Sequence, residues 1–207
     1  MIRYLYNSFV RERLPRKRKV LNGVVTKKAR LLDLTTINNT YEDPLIRSIR
    51  EFVQPTDTCL IIGGGWGAST VVAARITDDV IVYEGSLDQV SLVKETLKLN
   101  DVHEKVDIRR GLVTGEGKFY GNKAADPVDP ENLPGSNVLV MDCEGAELDI
   151  LQQMTIEPRT LVVESHGHFG APTDEVTDIL QERGYEIVRI EPESEETDVM
   201  VITAHHG

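Results

Sequence analysis

The sequence predicts an α/β domain built on a largely parallel sheet with helices on both faces. Short strands and helices alternate from about residue 58 to residue 183, which is typical of repeated βα units. The strands are continuous apolar runs, such as T-C-L-I-I at 58–62 and V-L-V-M at 138–141, as expected for strands buried on both faces. The last two strands are joined by P-E-S-E-E-T, which is too short for a crossover helix, so they are predicted to form an antiparallel hairpin.

The elements are predicted in chain order from periodicity and turn residues. Asn22-Gly23 predicts a hairpin, and Asp43-Pro44 starts a helix that runs to about Phe52. The predicted strands are 58–62, 80–84, 106–110, 138–141, 160–164, 186–190 and 198–203. The predicted later helices are 67–76, 87–99, 147–154 and 173–183. Residues 111–136 are rich in Gly, Pro, Asn and Asp and are predicted to form a long loop.

Composition bounds the class of protein. The 207 residues, of which 40% are hydrophobic, suit one domain at 41–207 with an N-terminal arm at 1–40. No apolar run approaches the ~20 residues needed to span a bilayer, and no signal peptide is recognisable, so a cytoplasmic protein is expected. Two cysteines are too few for a disulfide framework.

The charge is unevenly distributed. The net charge is −11, yet residues 1–30 carry ten Lys/Arg and one acid. Such an arm either lies on its own acidic domain, is solvated, or makes weak contact with an anionic membrane surface. Nucleic acid is an unlikely partner because the rest of the chain is strongly acidic. The oligomeric state is left open.

A glycine-rich segment follows the first strand of the βα region. It reads C-L-I-I-G-G-G-W-G-A-S from Cys59 to Ser69, and its glycines are Gly63, Gly64, Gly65 and Gly67. Glycines let a backbone approach a ligand closely, and the next helix directs its N-terminal N–H groups at the site. The spacing fits both G-x-G-x-G and G-x-G-x-x-A, so it does not separate S-adenosylmethionine from NAD. Trp66 is expected to pack over the loop or to contact the cofactor.

An acid closes the next strand. Glu84 ends I-V-Y-E about 20 residues after the glycines, where a carboxylate is placed to bind two ribose hydroxyls. The alternative is a solvated loop acid. Together with the glycines, Glu84 predicts a nucleoside-type cofactor.

Two further strand ends carry polar side chains. Asp142, Glu144 and Glu147 crowd the end of one strand and the start of the next helix, and crowded carboxylates raise one another's pKa, which suits a general base. Glu147 has the alternative role of a helix cap. The run T-L-V-V-E-S-H-G-H ends in Glu164, His166 and His168; a His-x-His pair near carboxylates is able to bind a metal, but substrate or solvent contact is favoured, and no metal is expected.

These segments resemble the FkbM-type family of S-adenosylmethionine-dependent methyltransferases over roughly residues 40–204. The specific matches are D-C-E-G-A-E-L-D-I-L at 142–151 and L-V-V-E-S-H at 161–166. The resemblance implies a Rossmann-like class I methyltransferase sheet of seven strands with a final antiparallel hairpin. It implies S-adenosylmethionine as cofactor and a small-molecule or glycan acceptor, with O-methylation of a sugar, glycolipid or natural-product hydroxyl.

The resemblance also implies roles for particular residues. The glycine loop would border the methionine part of the cofactor, Glu84 with Gly85 and Ser86 would bind the ribose, and Gly111 and Leu112 would lie near the adenine. Asp142 and Glu144 would face the methyl-transfer centre, where either is a candidate base, and Asp142 would also contact the cofactor. Glu164 and His166 would lie on the acceptor side.

One position departs from the family pattern. An acid is usual two residues before the first loop glycine, and Ile61 stands there. The departure favours, as one alternative, a non-catalytic module that kept the fold. The other alternative is an NAD-dependent oxidoreductase, supported by the G-x-G-x-x-A spacing and Glu84 but opposed by the lack of a separate substrate domain.

Overall fold

The computed structural model describes residues 14–30, 42–114, 125–193 and 198–206. The rest of the predicted arm, 1–13 and 31–40, and part of the predicted long loop, 115–124, lie outside the described residues. The helices are α1 (Asp43–Phe52), α2 (Ala68–Ala74), α3 (Leu87–Leu99), α4 (Glu147–Gln153) and α5 (Thr173–Glu182). The strands are β1 (Arg16–Leu21), β2 (Val24–Arg30), β3 (Thr58–Ile62), β4 (Asp79–Glu84), β5 (Val106–Arg110), β6 (Leu112–Val113), β7 (Pro127–Val128), β8 (Val138–Met141), β9 (Thr160–His166), β10 (Tyr185–Pro192) and β11 (Val199–His206).

The central sheet has seven strands in the order β10-β11-β9-β8-β3-β4-β5. The strands from β9 to β5 are parallel, and β11 runs antiparallel to both neighbours. The expected α/β class, the seven strands and the final antiparallel hairpin are therefore confirmed. The strand β9 extends two residues beyond its predicted end because Ser165 and His166 still pair with β11.

The side chains of neighbouring residues in each central strand lie on opposite faces of the sheet. In β3, Ile61 packs in the cluster beneath α1, α2 and α3, whereas Leu60 packs in the cluster beneath α4 and α5. The side chains of a strand alternate between its two faces, so an unbroken apolar run fills both cores at once. This explains why the strands read as continuous hydrophobic stretches.

The chain reverses direction across the sheet after β5. It builds β3, β4 and β5 outward and then returns to place β8 on the other side of β3. A crevice forms at such a switch point, at the carboxyl ends of the strands, because the connections leave in opposite directions. The loop after β3 and the turn after β8 therefore border this crevice.

The predicted long loop contains short regular structure. Within 111–136, β6 and β7 form a two-stranded parallel pair, and Pro130–Asn132 is a 3₁₀ turn. The pair forms because Leu112 donates its N–H to the carbonyl of Asp126 and Thr114 donates to that of Val128.

The basic hairpin of β1 and β2 packs on the domain. Val25 donates its N–H to Asn100, Arg75 donates to the carbonyl of Gly23, and Lys27 pairs with Glu95. Arg75 and Asn100 are the C-caps of α2 and α3, so the hairpin lies at the helix ends remote from the carboxyl edge of the sheet. For residues 16–30, the structure thus supports an arm that lies on its own domain.

The cysteines and the helix lengths agree with the sequence. Cys59 and Cys143 are both free, as expected. Among the helices of the described ranges, none has the length and hydrophobicity needed to cross a bilayer.

One ion pair joins the amino-terminal edges of β3 and β9. Arg159 donates to both carboxylate oxygens of Asp57, at 2.7 Å and 2.6 Å, and to the carbonyl of Phe52. Burial raises the pKa of Asp57, but the bonds from Arg159 and the N–H of Gln54 outweigh it, so this pKa lies below its usual value of 3.8.

The Asp57→Asn variant should lose about 2 kcal/mol of unfolding free energy near neutral pH, because Arg159 then lacks its charged partner. A carboxylate with a lowered folded-state pKa stabilises the fold above its unfolded pKa and loses that contribution as the pH falls. The difference from wild type should therefore be constant above pH 5 or so and shrink below 3.8. Urea unfolding against pH measures it, with the exposed Asp178→Asn as control; a difference that grows on acidification would contradict the assignment.

Candidate functional site

The carboxyl ends of four adjacent parallel strands form one edge. In sheet order β9, β8, β3 and β4, these ends carry His166, Asp142, the glycine loop and Glu84. The sheet therefore brings together the predicted cofactor residues and the predicted acceptor-side residues, although they are up to about a hundred positions apart in sequence.

The glycine loop sits against the end of β8. Asp142 donates its N–H to the carbonyl of Ile62 at 2.9 Å, and Gly63 donates to that of Tyr83 at 3.0 Å. At Gly63, where φ is +91°, an added Cβ would lie 1.8 Å from the carbonyl oxygen of Asp142. Only glycine permits this approach.

The next glycines differ in their surroundings. A Cβ at Gly65 would meet nothing within 4 Å among the described residues, so the loop is open above this position. One at Gly67 would lie 3.3 Å from Val93 and Thr96, so Gly67 instead allows α2 to start close to α3. Trp66, between them, is half-buried.

Glu84 binds the glycine loop directly. Its Oε2 accepts the N–H groups of Gly64 and Gly65, at 3.1 Å and 3.2 Å, and its Oε1 accepts that of Ser86 at 2.7 Å. Burial raises the pKa of Glu84, while these three hydrogen bonds act to lower it. The side chain is half-buried, so it is not a freely solvated loop acid.

The remaining predicted cofactor residues surround Glu84. Ser86 caps α3 by accepting the N–H of Gln89. An added Cβ at Gly85 would lie 3.2 Å from Leu112, and one at Gly111 would lie 2.5 Å from Val128. The small β6–β7 pair thus closes over the end of β4.

Asp142 and Glu144 occupy different environments in the turn after β8. Asp142 is one quarter exposed, and burial, countered by His166 and reinforced by Glu144 and Glu147, raises its pKa to about 6. Glu144 is exposed and adopts a left-handed backbone with φ 50°. Gly145 follows with φ 106°, and an added Cβ there would lie 2.6 Å from the carbonyl oxygen of Phe169.

Glu147, named from the sequence as one of three crowded acids or as a helix cap, makes contacts that the sequence did not predict. Its carboxylate is fully buried and accepts the N–H groups of Cys143 and Gly145 at 3.3 Å and 2.8 Å. The same carboxylate contacts Nδ1 of His166 at 2.7 Å. It therefore fixes both the turn after β8 and the orientation of the imidazole, which is more than the helix cap considered from sequence.

Glu164 and His166 face the site from β9. Glu164 is 4% exposed, and burial, with the charges of Asp142, Glu42 and Glu193, raises its pKa well above the usual value. Burial lowers the pKa of His166, but the bond to Glu147 and the charges of Asp142 and Glu144 outweigh it, so this pKa is raised. Nε2 of His166 lies 3.5 Å from Oδ1 of Asp142.

His168 does not join this group. It is exposed and lies near Asp198, so the considered His-x-His pair does not converge on one point. Instead, Asp142, Glu164 and His166 bring one ligand atom each within 4.8 Å of the others.

The position of the usual family acid is apolar in structure as well. Ile61 is 1% exposed within the core beneath α1, α2 and α3. Asp57 is held by Arg159 and does not replace it. Glu42, at the start of α1 and 5% exposed, is a buried acid that sequence reasoning missed, because its proximity to Glu164 arises only from packing.

One segment of the chain matches a known family. The family described as methyltransferase FkbM domain matches residues 128–187, which include β8, the acidic turn and β9. The resemblance seen in the sequence is confirmed over this segment. No curated protein matches the sequence.

Solved structures share the fold at low identity. The ribosomal protein L11 methylase from Lactobacillus delbrueckii subsp. bulgaricus superposes with a TM-score of 0.60 at 13% identity, over 83% of this chain and 81% of that chain. A precorrin-6y C5,15-methyltransferase from Geobacter metallireducens GS-15 gives 0.58 at 14% identity, over 88% and 93%. The fold is that of Rossmann-like class I methyltransferases.

A third neighbour was solved with a ligand. The tRNA (uracil-54, C5)-methyltransferase of Pyrococcus abyssi, in complex with S-adenosyl-L-homocysteine, gives a TM-score of 0.60 at 12% identity. The match covers 92% of this chain but only 44% of that one.

We expect Gly63→Ala to destabilise the protein by at least about 2 kcal/mol, because it adds left-handed strain to a clash with the backbone of Asp142. Gly135→Ala is the matched control, since a Cβ there meets nothing within 4 Å. Urea unfolding of both variants measures the difference. Equal stabilities would show that the loop does not approach β8 as described.

Proposed function

We propose that this chain is an S-adenosylmethionine-dependent methyltransferase that methylates a hydroxyl of a small molecule or glycan. The match to the FkbM methyltransferase domain and the shared fold support a methyltransferase. The proposal of a nucleoside-type cofactor rests chiefly on one observation. Glu84 contacts the glycine loop at the switch point of the sheet.

The residues of this edge fit a nucleoside cofactor. The loop is open above Gly65, and the Glu84 carboxylate stands at the mouth of the crevice, where ribose hydroxyls are able to donate to it. Gly63, Gly64 and Gly67 let the loop pack closely against Asp142, Val82 and α3, so that its open side at Gly65 would border the methionine part. Gly85, Ser86, Gly111 and Leu112 would surround the ribose and adenine, with Trp66 beside the loop.

The cofactor supplies an electrophilic methyl group on a sulfonium when bound. The chain itself orients the acceptor and excludes water, since in-line methyl transfer depends chiefly on alignment. A hydroxyl acceptor must also lose its proton. The turn after β8 offers two carboxylates for this step, with Asp142 partly buried beside His166 and Glu144 exposed.

The charge of the acceptor side favours an acceptor that is not a polyanion. Asp142, Glu164 and Glu193 act on one another electrostatically there, and Asp198 lies next to Gly167. Phosphate-rich acceptors would be repelled by this edge. A sugar, glycolipid or natural-product hydroxyl suits it better.

Two alternatives remain tied to specific residues. Ile61 favours a module that binds without catalysing, because the usual acid is absent and the position is buried. The G-x-G-x-x-A spacing with Glu84 favours NAD binding.

We propose a cytoplasmic protein. The basic hairpin packs on the domain but leaves Lys17 and Arg18 exposed, and these side chains would make weak contact with an anionic membrane surface.

Isothermal titration calorimetry with S-adenosylhomocysteine and NAD tests the cofactor. S-adenosylhomocysteine should bind wild type, and Glu84→Gln should weaken it at least tenfold, because an amide is a poorer acceptor for two ribose hydroxyls than a carboxylate. The exposed Glu182→Gln is the matched control and should bind as wild type does. Binding of NAD alone would favour the oxidoreductase, and binding of neither would overturn the proposal.

The acceptor class is tested by transfer of a labelled methyl group from S-adenosylmethionine. The acceptors are a panel of sugars, glycolipids and polyketide alcohols, with transfer RNA as a separate arm.

The general base is tested by substitution. Asp142→Asn or Glu144→Gln should slow transfer at least about a hundredfold while S-adenosylhomocysteine still binds, as expected for loss of a general base. Full turnover in both variants would exclude the base role. Cofactor binding with no transfer to any acceptor would favour the non-catalytic module.

A further inference from the structure

We propose that Asp142, Glu164 and His166 form a binding site for a divalent metal ion at the acceptor side of the cleft. The inference rests on the proposed function only for the use of the ion, which would hold the acceptor oxygen. The binding site itself is argued from the geometry of three side chains.

The three side chains converge from two neighbouring strands. Asp142 follows β8, while Glu164 and His166 lie on β9 two residues apart and therefore on the same face of the strand. One ligand atom from each lies within 4.8 Å of the other two. Two donors about 2.1 Å from one octahedral ion are about 3 Å apart, so a small closure completes such a set.

Glu164 provides the independent observation. It is 4% exposed, and its Oε1 accepts no hydrogen bond within the described part of the chain. Burying a carboxylate oxygen without a partner is strongly unfavourable in an apolar environment, and native proteins avoid it by pairing the charge, by protonation or by binding a metal. The nearby charges of Asp142, Glu42 and Glu193 are all negative and add to this cost.

His166 is oriented as a metal ligand would be. Its Nδ1 is 2.7 Å from the buried carboxylate of Glu147, which accepts the N–H and so leaves the lone pair of the neutral ring on Nε2. Nε2 lies 3.5 Å from Asp142. A histidine that binds metal through one nitrogen and a carboxylate through the other is the usual outer-shell arrangement, because it fixes the ring and raises its basicity.

The donor set selects the class of ion. Two carboxylates and one imidazole suit Mn²⁺ and similar first-row divalent ions better than Ca²⁺, which prefers more oxygen ligands. Three protein ligands leave positions open for oxygens of an acceptor. Glu144, outside the ligand group and exposed, is then the carboxylate left to take up the acceptor proton.

Methyl transfer to an acceptor hydroxyl at this ion would need no reactant besides the acceptor and the cofactor. An ion held by Asp142, Glu164 and His166 would lower the pKa of an acceptor hydroxyl, whose proton would pass to Glu144 or water. An oxygen lone pair would then form the new bond to the methyl carbon. The bond from carbon to sulfur would break with its electrons remaining on sulfur, which would give a neutral thioether and a methyl ether.

Mn²⁺ binding to the full chain without cofactor tests the site, by calorimetry and by the loss of the free-ion electron paramagnetic resonance signal. Wild type should bind one ion, and Asp142→Asn, Glu164→Gln and His166→Ala should each weaken binding at least tenfold. Glu147→Gln should weaken it by about ten- to a hundredfold as an outer-shell change. Glu144→Gln and the exposed Asp178→Asn remove one negative charge without removing a ligand and should bind within about threefold of wild type.

The outcomes separate this proposal from the proposed function. No saturable Mn²⁺ binding by wild type, or equal affinity in the three ligand variants when circular dichroism shows them folded, would overturn the metal site. Binding of S-adenosylhomocysteine with no Mn²⁺ binding would leave the proposed methyltransferase intact and remove the metal site. Mn²⁺ binding without any cofactor binding would keep the site and remove the proposed function.

Discussion

The structure depends on the close approach of two strand connections at the switch point of the sheet. The loop after β3 and the turn after β8 meet where Gly63 lies against the carbonyl of Asp142, and the N–H of Asp142 bonds to Ile62. The contact continues the pairing of β3 and β8 beyond their ends. It also places the glycine loop and the acidic turn side by side, so cofactor and acceptor would meet across a single backbone contact. A side chain at Gly63 would separate these two halves of the site.

The second constraint is electrostatic. The carboxyl edge of the sheet concentrates acids that have little access to solvent, and desolvation raises the pKa of Asp142, Glu164 and Glu84. Each acid is compensated differently. Glu84 receives three backbone N–H groups, and Glu147 receives two backbone N–H groups and the imidazole of His166. Glu164 has no comparable compensation at Oε1 among the described residues, so the cluster favours a positively charged ligand.

The basic hairpin belongs to the other end of the molecule. It packs against the C-terminal ends of α2 and α3, where Arg75 and Asn100 donate hydrogen bonds to its carbonyls at Gly23 and Val25. Its positive charge therefore lies far from the acidic cleft. The β6–β7 pair, on the other hand, lies beside the end of β4, where Leu112 is close to Gly85.

The sequence by itself determined the order of strands and helices, the parallel sheet and the final hairpin, because local periodicity and short links encode these features directly. It also identified the glycine loop, Glu84 and the acids after β8, since each follows a recognisable strand end. The tertiary structure decided what each side chain contacts. Only packing showed that Glu147 orients His166, that Glu42 acts on Glu164, and that His168 faces away from the cluster. Contacts between distant segments have no local signature, because they depend on strand order and register rather than on neighbouring residues.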